Sequence, residues 1–453
     1  MAKSSIDLKD LYDEPACSRN NIKDATCEKP KPGDSSGKCA FTGAQFALYP
    51  FADCAHIVHS PSTCQNIPFD NGNLIKNSWD GTDYKSMVFC TDMCMNDIVF
   101  GSDKRLRESV NYVFDEYKPK GIFLYTTCVS ALIGEDVSAI ARDKEEELGI
   151  PVIAVHSPGF VGNDFFGAKV AGISVLEELI GKKEPESTTE YDVNLIGEYN
   201  SLGDMWEYES LLGRLGVRVL ARFSGDGRIE NVMTAHRAKL NIVVSSRSLV
   251  TMARRMKERW GMPWVNVSFY GKRDISDALR AIAESFKDPL MARKAEQIIA
   301  EEERNIDVKL AEIKPMLANK KAILNVDGTA IWKYISLLKD SGITILATSV
   351  DKANDDDTEK AESYLGNKSV LFMKNPDSDQ THIIDMFGAD VLIGEAQSMY
   401  TAVKNSLAFV DVGRLSKTSY AGYDGVVKFA NDIFDSVSNP VFEIVAKKAP
   451  WEA

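Results

Sequence analysis

From about residue 120 to the C-terminus, apolar runs of strand length alternate with stretches of helix length, and this alternation restricts the fold more than any other feature of the chain. GIFLYTTC ends in polar residues and is followed by the helix-like VSAIARDKEEEL and then by PVIAVHS. Strands joined in this way make βαβ units, which build parallel sheets. GKKEPESTTEY interrupts the pattern with Gly181, Pro185 and Ser187 and reads as a linker. The series restarts with DVNLIGEYN, a helix in WEYESLLGRLG and the strand VRVLARFSG, and continues through LNIVVSS, SLVTMARRMKERWG and PWVNVSF. A long charged helix is expected from roughly Ser276 to Leu317, its EEER run a solvated face. A third series runs from KAILNV through ITILATS, SVLFM and ADVLIGE to LAFVDVG and a last helix. The chain therefore reads as α/β, three units in tandem, with right-handed crossovers in each. Its 453 residues are too many for one core and suit two or three domains of about 150 residues.

In open parallel sheets, ligands bind beyond the carboxyl ends of the strands. That rule selects the loops after Tyr125, Val155, Ile196, Val244, Val326 and Val412; the first holds a cysteine, the others glycines and polar residues. No GxGxxG follows a strand, and HExxH and GxSxG are missing. GDSSGKC, Gly33 to Cys39, resembles a phosphate loop but is one residue short between its glycines and lacks a Ser or Thr after Lys38. The five histidines, His56, His59, His156, His236 and His382, are too scattered for a zinc site and read as structural. Acidic residues outnumber basic ones by 66 to 53, with no basic stripe, which argues against nucleic acid as a partner. The N-terminal MAKSSIDLKDLYDEPACS lacks the apolar segment of a secretory signal, and no run approaches the ~18 apolar residues of a spanning helix. A soluble, cytoplasmic protein that does not engage a membrane is expected.

A reducing compartment gives the cysteines a particular meaning, because thiols there serve metal or redox chemistry more often than structural disulfides. All eight (Cys17, Cys27, Cys39, Cys54, Cys64, Cys90, Cys94 and Cys128) lie in the first 128 residues. Cys39 sits in GKCAFTGAQFALYPFAD after a Gly/Pro-rich arm. Cys64 ends AHIVHSPSTC, where Pro61 turns the chain. Cys128, in LYTTCVSALIGEDV, lies at a strand's carboxyl end just before a helix, whose N-terminus favours a thiolate. Separations of 25 and 64 residues fit no local zinc or ferredoxin spacing, so any shared ligand would be met by three separate loops. Three thiolates would leave the fourth position of an iron–sulfur cluster to a partner chain; buried structural cysteines are the competing reading.

The order CAFTGAQFALYPFADCAHIVHSPSTC, TDMCMNDIVFGSDKRL, YTTCVSALIGEDV and PVIAVHSPGF resembles the nitrogenase component 1 superfamily. DEPAC, KPKPG, DVNLIGEYN, AHRAKLN, PWVNVSFYG, MYTA and SYAGYDG bring it near one branch, the α-like scaffold subunits on which the iron–molybdenum cofactor is matured for nitrogen fixation. The resemblance runs from about residue 12 to the terminal APWEA. It implies three Rossmann-like domains, at 39–187, 188–318 and 319–453, behind an N-terminal arm at 1–38. It also implies an α2β2 heterotetramer with a NifN-like sister subunit, and an ATP-dependent iron-protein reductase as a further partner. The family's cluster cysteines map onto Cys39, Cys64 and Cys128, which in the scaffold hold a [4Fe-4S] cluster at the subunit interface with a fourth ligand from the sister subunit.

The second metal site of the family departs from its pattern here. The cysteine that holds the cofactor or its precursor cluster is replaced by Ser245, a poor ligand for soft iron–sulfur chemistry. The third-domain histidine of catalytic nitrogenases aligns with about Gly413, and the histidine after the PGF loop with about Ala168. Where the scaffold branch usually has Gly-Gly followed closely by a basic residue, Asp327-Gly328-Thr329-Ala330 adds a carboxylate and removes the cation, which is repulsive toward an anionic cluster. These changes point to a maturation scaffold with an altered pocket rather than a nitrogen-reducing catalyst. His236 either borders that pocket or caps a helix; Glu198 and Asn200 either line a cleft or satisfy backbone donors. Cys90 and Cys94, four apart, would share a helix face if helical, either as extra ligands or as packing. Cys54 reads as packing, Cys17 and Cys27 as exposed thiols. Two other readings stand beside the scaffold: an α-like subunit of a nitrogenase-like reductase acting on a tetrapyrrole, and a partner retaining only structural roles.

Overall fold

The computed structural model describes residues 39–64, 87–199, 202–244, 249–326, 331–350, 355–365, 370–372, 381, 383–386, 388–413, 418–439 and 441. The arm at 1–38, with Cys17, Cys27 and the GDSSGK stretch, lies outside them, as do Asn200, Ser245, Asp327–Ala330 and His382. Three sheets form the frame. The first has the order β2-β1-β3-β4, built from β1 (Cys54–His59), β2 (Val88–Cys90), β3 (Gly121–Thr126) and β4 (Val152–His156). All its pairings are parallel, with Ile57 opposite Leu124 and Leu124 opposite Ala154. The second, β6-β5-β7-β8, comprises β5 (Asp192–Glu198), β6 (Arg218–Ser224), β7 (Leu240–Val243) and β8 (Trp264–Asn266). The third, β11-β10-β9-β12-β13, is parallel throughout and comprises β9 (Lys321–Asn325), β10 (Thr344–Ser349), β11 (Val370–Phe372), β12 (Val391–Gly394) and β13 (Ala408–Asp411). The α/β reading therefore holds, with one addition: the first sheet starts before residue 120, with β1 and β2 in the cysteine-rich segment.

Alternation along β3 shows how that sheet is buried on both faces. Ile122 and Leu124 join Leu106, Val110, Val113, Ile140 and Ala141 in one core, contributed by α3 (Asp103–Tyr117) and α5 (Val137–Leu148). Phe123 and Tyr125 point the other way, against Phe51 and the Phe41 ring of α1 (Ala40–Leu48). Each such side chain fully removed from water contributes roughly 1.5–3 kcal/mol. On that second face α1 lies against α6 (Asp164–Glu178) with backbone close to backbone. A Cβ on Gly43 would fall 1.8 Å from the Asp164 carbonyl oxygen, and one on Gly167 1.9 Å from that of Ala40.

Helix α7 (Asp204–Leu215), α8 (Val250–Trp260) and α12 (Gly422–Val437) fall where the pattern placed helices; α2 is Met95–Phe100, α4 is Cys128–Leu132 and α11 is Ile331–Ser341. The single long helix expected from Ser276 to Leu317 is instead divided. α9 (Lys272–Phe286) stops at Lys287, in the left-handed conformation, and α10 (Pro289–Leu310) restarts with Asp288 as its cap and proline in its first turn. A shorter helix, Ile313–Leu317, follows. Asp288 Oδ1 accepts from Leu290 N at 2.8 Å, a start signal that ends the preceding helix. The described chain forms two compact units. One takes in the residues to Tyr199, Leu220–Asn241 and 249–264; the other 202–219, 242–244 and the residues from Val265 on. No helix among the described residues is long and apolar enough to cross a membrane.

Candidate metal centre

Cys39, Cys64 and Cys128 stand on three loops at the carboxyl-end side of the first sheet, each a half-exposed free thiol. Cys39 is the cap of α1; its carbonyl receives Gly43 N at 3.0 Å, and its backbone bridges Asn163, while Ala40 N donates to Gly162 O. The PGFVGN loop beyond β4 therefore grips the start of α1. Cys128 opens α4, directly after β3, with Thr127 and Ser130 forming a capping box. Gly159 lies between these two cysteines. A Cβ built on it would come within 3.1 Å of Cys128 Sγ and 3.2 Å of Cys39 Sγ, so both sulfurs flank one recess floored by glycine. Cys64 ends the short 3₁₀ turn Ser62–Cys64 that Pro61 starts beyond β1.

No group of three His, Cys, Asp or Glu among the described residues converges to hold a single metal ion. A polynuclear iron–sulfur cluster does not ask for that, because each thiolate binds a different iron. Two thiols free of disulfides over a glycine-floored recess fit such a cluster. Cys64 has its own surroundings. Cys90, at the end of β2, donates to Ser60 O at 3.3 Å, and burial pushes its thiol up, against the Asp92 N–H on the sulfur and with a smaller contribution from Cys64 nearby. Cys94 caps α2 and is exposed, with Asp97 closing the cap and Arg105 reaching both Asp97 (2.7 Å) and the Cys94 sulfur (3.9 Å). Cys90 and Cys94 thus do not share a helix face: one ends a strand, the other precedes a helix. Cys54 is buried beside Asp53, and burial raises its thiol well above the ordinary range, which makes it inert packing.

Behind the cysteine loops lies a buried polar web that the scattered histidines did not reveal. His59, the last residue of β1, is fully buried; its Nε2 meets Glu135 Oε2 and lies 2.9 Å from Ser102 Oγ, and its Nδ1 is 3.0 Å from Thr91 Oγ1. Ser102 N and Oγ both donate to Glu135 Oε1. Thr127 Oγ1 donates to the His59 carbonyl at 3.0 Å, and Ser60 N donates to Thr91 Oγ1 at 3.2 Å. Burial lowers the His59 pKa, opposed by the Glu135 hydrogen bond and charge. Every member ends or follows a strand or flanks a helix start, and that is the only signal in the sequence that could have found it.

Each residue expected at a second site has its own surroundings or lies outside the described residues. His236 lies in a 3₁₀ turn, Ala235–Arg237, with Nε2 3.3 Å from Glu184 and its ring 6.0 Å from Trp260; Arg237 clamps the same carboxylate at 2.5 and 2.8 Å. The Arg237 hydrogen bond is the main reason the Glu184 pKa falls to about 2. Gly413 donates its N–H to Asp411 Oδ1 at 2.8 Å. Ala168 is buried within α6, and Glu198 ends β5. Ser245 lies outside the described residues.

Comparison with known proteins brings these observations together. The model of the family described as nitrogenase component 1 type oxidoreductase matches residues 39–438. A nitrogenase iron-molybdenum cofactor biosynthesis protein NifE from Nostoc sp. (strain PCC 7120) is 38% identical over 451 residues, which cover 98% of this chain and 93% of that protein. The NifE of Klebsiella pneumoniae is 35% identical over 451 residues, 97% of this chain and 98% of its own. Among solved structures, nitrogenase Cp1 at pH 6.5 matches with a TM-score of 0.81 and 26% identity, covering 92% of this chain and 91% of that chain.

Proposed function

The chain belongs to the nitrogenase component 1 family, and from that premise we propose that it is a NifE-like scaffold subunit for assembly of the nitrogenase cofactor. In this reading it acts in the cytoplasm, in an α2β2 heterotetramer with a NifN-like sister subunit. Cys39, Cys64 and Cys128 hold a [4Fe-4S] cluster at the subunit interface, and the sister subunit supplies the fourth ligand. The observation that carries the reading is the pair of free thiols, Cys39 and Cys128, flanking the Gly159 recess. Such a cluster, when bound, stores and relays single electrons. The chain's own part is positional: Thr127 and Ser130 fix the start of α4, and the Gly162–Ala40 bond fixes the start of α1. Apolar side chains stand exposed on the same loops and helices, Met95, Val99 and Phe100 on α2, Leu132 on α4 and Phe160 after Gly159, as a surface meant for a partner would.

Ser245 in place of the cofactor cysteine, Ala168 and Gly413 in place of histidines, and the acidic Asp327 favour an altered or vacant precursor site over dinitrogen reduction. The test is anaerobic co-purification with the sister subunit, followed by iron and sulfide counts and EPR. About four irons per αβ pair with a dithionite-reducible S = 1/2 signal is the expected result, and Cys128→Ala should abolish both. Unchanged iron in Cys128→Ala would overturn the ligand assignment. A co-purifying tetrapyrrole would instead identify a nitrogenase-like reductase.

A further inference from the structure

Glu135 lies seven residues beyond Cys128 and is the residue on which the cysteine-bearing loops meet. One carboxyl oxygen accepts from Ser102 N and Oγ, the other is hydrogen-bonded to His59 Nε2, and the carboxyl is about nine-tenths buried. Ser102 N can only donate to it, and Ser102 Oγ and His59 Nε2 complete the hydrogen bonds around its two oxygens. Among the described residues no Lys or Arg pairs with it: His59 is its one ion-pair partner, and burial disfavours the charged form of that ring, so no permanent positive charge stands against the carboxyl. From this hub two arms run to the thiols. Glu135 N donates to Ser130 O at 3.3 Å and Thr127 Oγ1 to His59 O, which ties down both ends of α4 and with them Cys128. His59 also holds Thr91, which together with Met93 N on Ser60 O (3.0 Å) anchors the segment leading to Cys64.

We propose that Glu135 is a positioning residue for the iron–sulfur ligands and that its uncompensated carboxylate makes a cluster held by them harder to reduce. The inference rests on the cluster reading above. A buried negative charge acts through a low effective dielectric, so it disfavours adding an electron nearby far more than a solvated one would.

The test is a redox titration of the cluster EPR signal in the full-length chain, co-purified anaerobically with its sister subunit. Glu135→Gln keeps the size and an acceptor for Ser102 but removes the charge; the midpoint should move positive at unchanged iron content. Glu135→Asp, which restores the charge, should bring it back toward the wild-type value. Ser102→Ala leaves the carboxylate with one donor fewer and less shielded, so its midpoint should move negative, and this variant serves as the test if Glu135→Gln does not fold. A wild-type midpoint in Glu135→Gln, or a Ser102→Ala shift of positive sign, overturns the proposal. Cys128→Ala, run in parallel, separates the two failures: iron retained there sinks the cluster reading itself, whereas iron lost there with an unmoved Glu135→Gln midpoint sinks only the role of Glu135.

Discussion

A methyl group on Gly159 would come within 3.2 Å of two sulfurs at once, closer than nearly all real side-chain contacts, and one of its neighbours would have to give way. The neighbours are the thiols of Cys39 and Cys128, whose backbones are held by a helix cap and a capping box. Gly159→Ala should therefore push the sulfurs apart and lower iron per αβ pair severalfold, while the chain's own stability, read by urea melting, changes by no more than about 1 kcal/mol. Full iron occupancy would mean that the recess is wider than the thiols make it. This residue also shows where sequence reading stops. The cysteines were legible because thiols cluster visibly in the first 128 residues and turn up at strand ends. Gly159 and His59 were not, since a glycine in a PGF loop and a histidine in an apolar run acquire meaning only when chain segments 30 to 120 residues apart are brought together.

Helix α1 holds Cys39 only as firmly as α1 itself is held, and it is held by close backbone contact with α6. Because the contact is backbone against backbone at Gly43 and Gly167, no side chain can yield to relieve a clash. Gly43→Ala should cost about 2–3 kcal/mol and should reduce iron binding as well, through displacement of Cys39. Gly213 in α7 is the control: its added Cβ would meet nothing within 4 Å, so Gly213→Ala should be neutral or stabilise by up to about 1 kcal/mol. Equal effects of the two substitutions in urea melting would show that helix propensity, not contact, governs Gly43. Elements were the most legible scale. α5 spans VSAIARDKEEEL as the pattern placed it, and β5, β9 and β12 fall on DVNLIGE, KAILN and VLIG. The missed break between α9 and α10 was written in the sequence too, as Asp288-Pro289, a cap followed by a residue suited to a first turn. Charged residues continue through both helices and each buries an apolar face, so charge pattern alone does not separate them.

For the whole molecule, two compact units that titrate in opposite senses should separate on acidification. In the first, His56 is buried among Tyr49, Phe123 and Tyr125, its Nδ1 2.8 Å from the Tyr125 hydroxyl, and burial lowers its pKa from 6.5 to about 3. The unfolded imidazole binds its proton first, so the stability His56 contributes is complete above pH 6.5 and is lost as the pH falls toward 3. His59, also lowered by burial, acts in the same sense, and Asp53, raised by burial, opposes them. In the second unit Asp340 accepts from Lys272 N, the first residue of α9, at 2.5 Å, and burial raises its carboxyl from 3.8 to about 6. Here the folded state takes up the proton first, so stability rises as the pH falls from about 6 toward 3.8. At about 1.4 kcal/mol per pKa unit, Asp340 is worth on the order of 2–3 kcal/mol across that window. Calorimetry of the metal-free chain at about pH 7 and about pH 5 should show the first unit's transition move down and the second's move up, since units with separate cores need not melt together. Asp340→Asn, whose amide oxygen can still accept from Lys272 N, should stabilise the second unit at neutral pH and remove its acid-side gain. Transitions that shift in parallel, or an Asp340→Asn chain unchanged at neutral pH, would mean that the buried carboxyl does not govern this unit, and that the pH response of the molecule is set by its net charge, −13 at pH 7, instead.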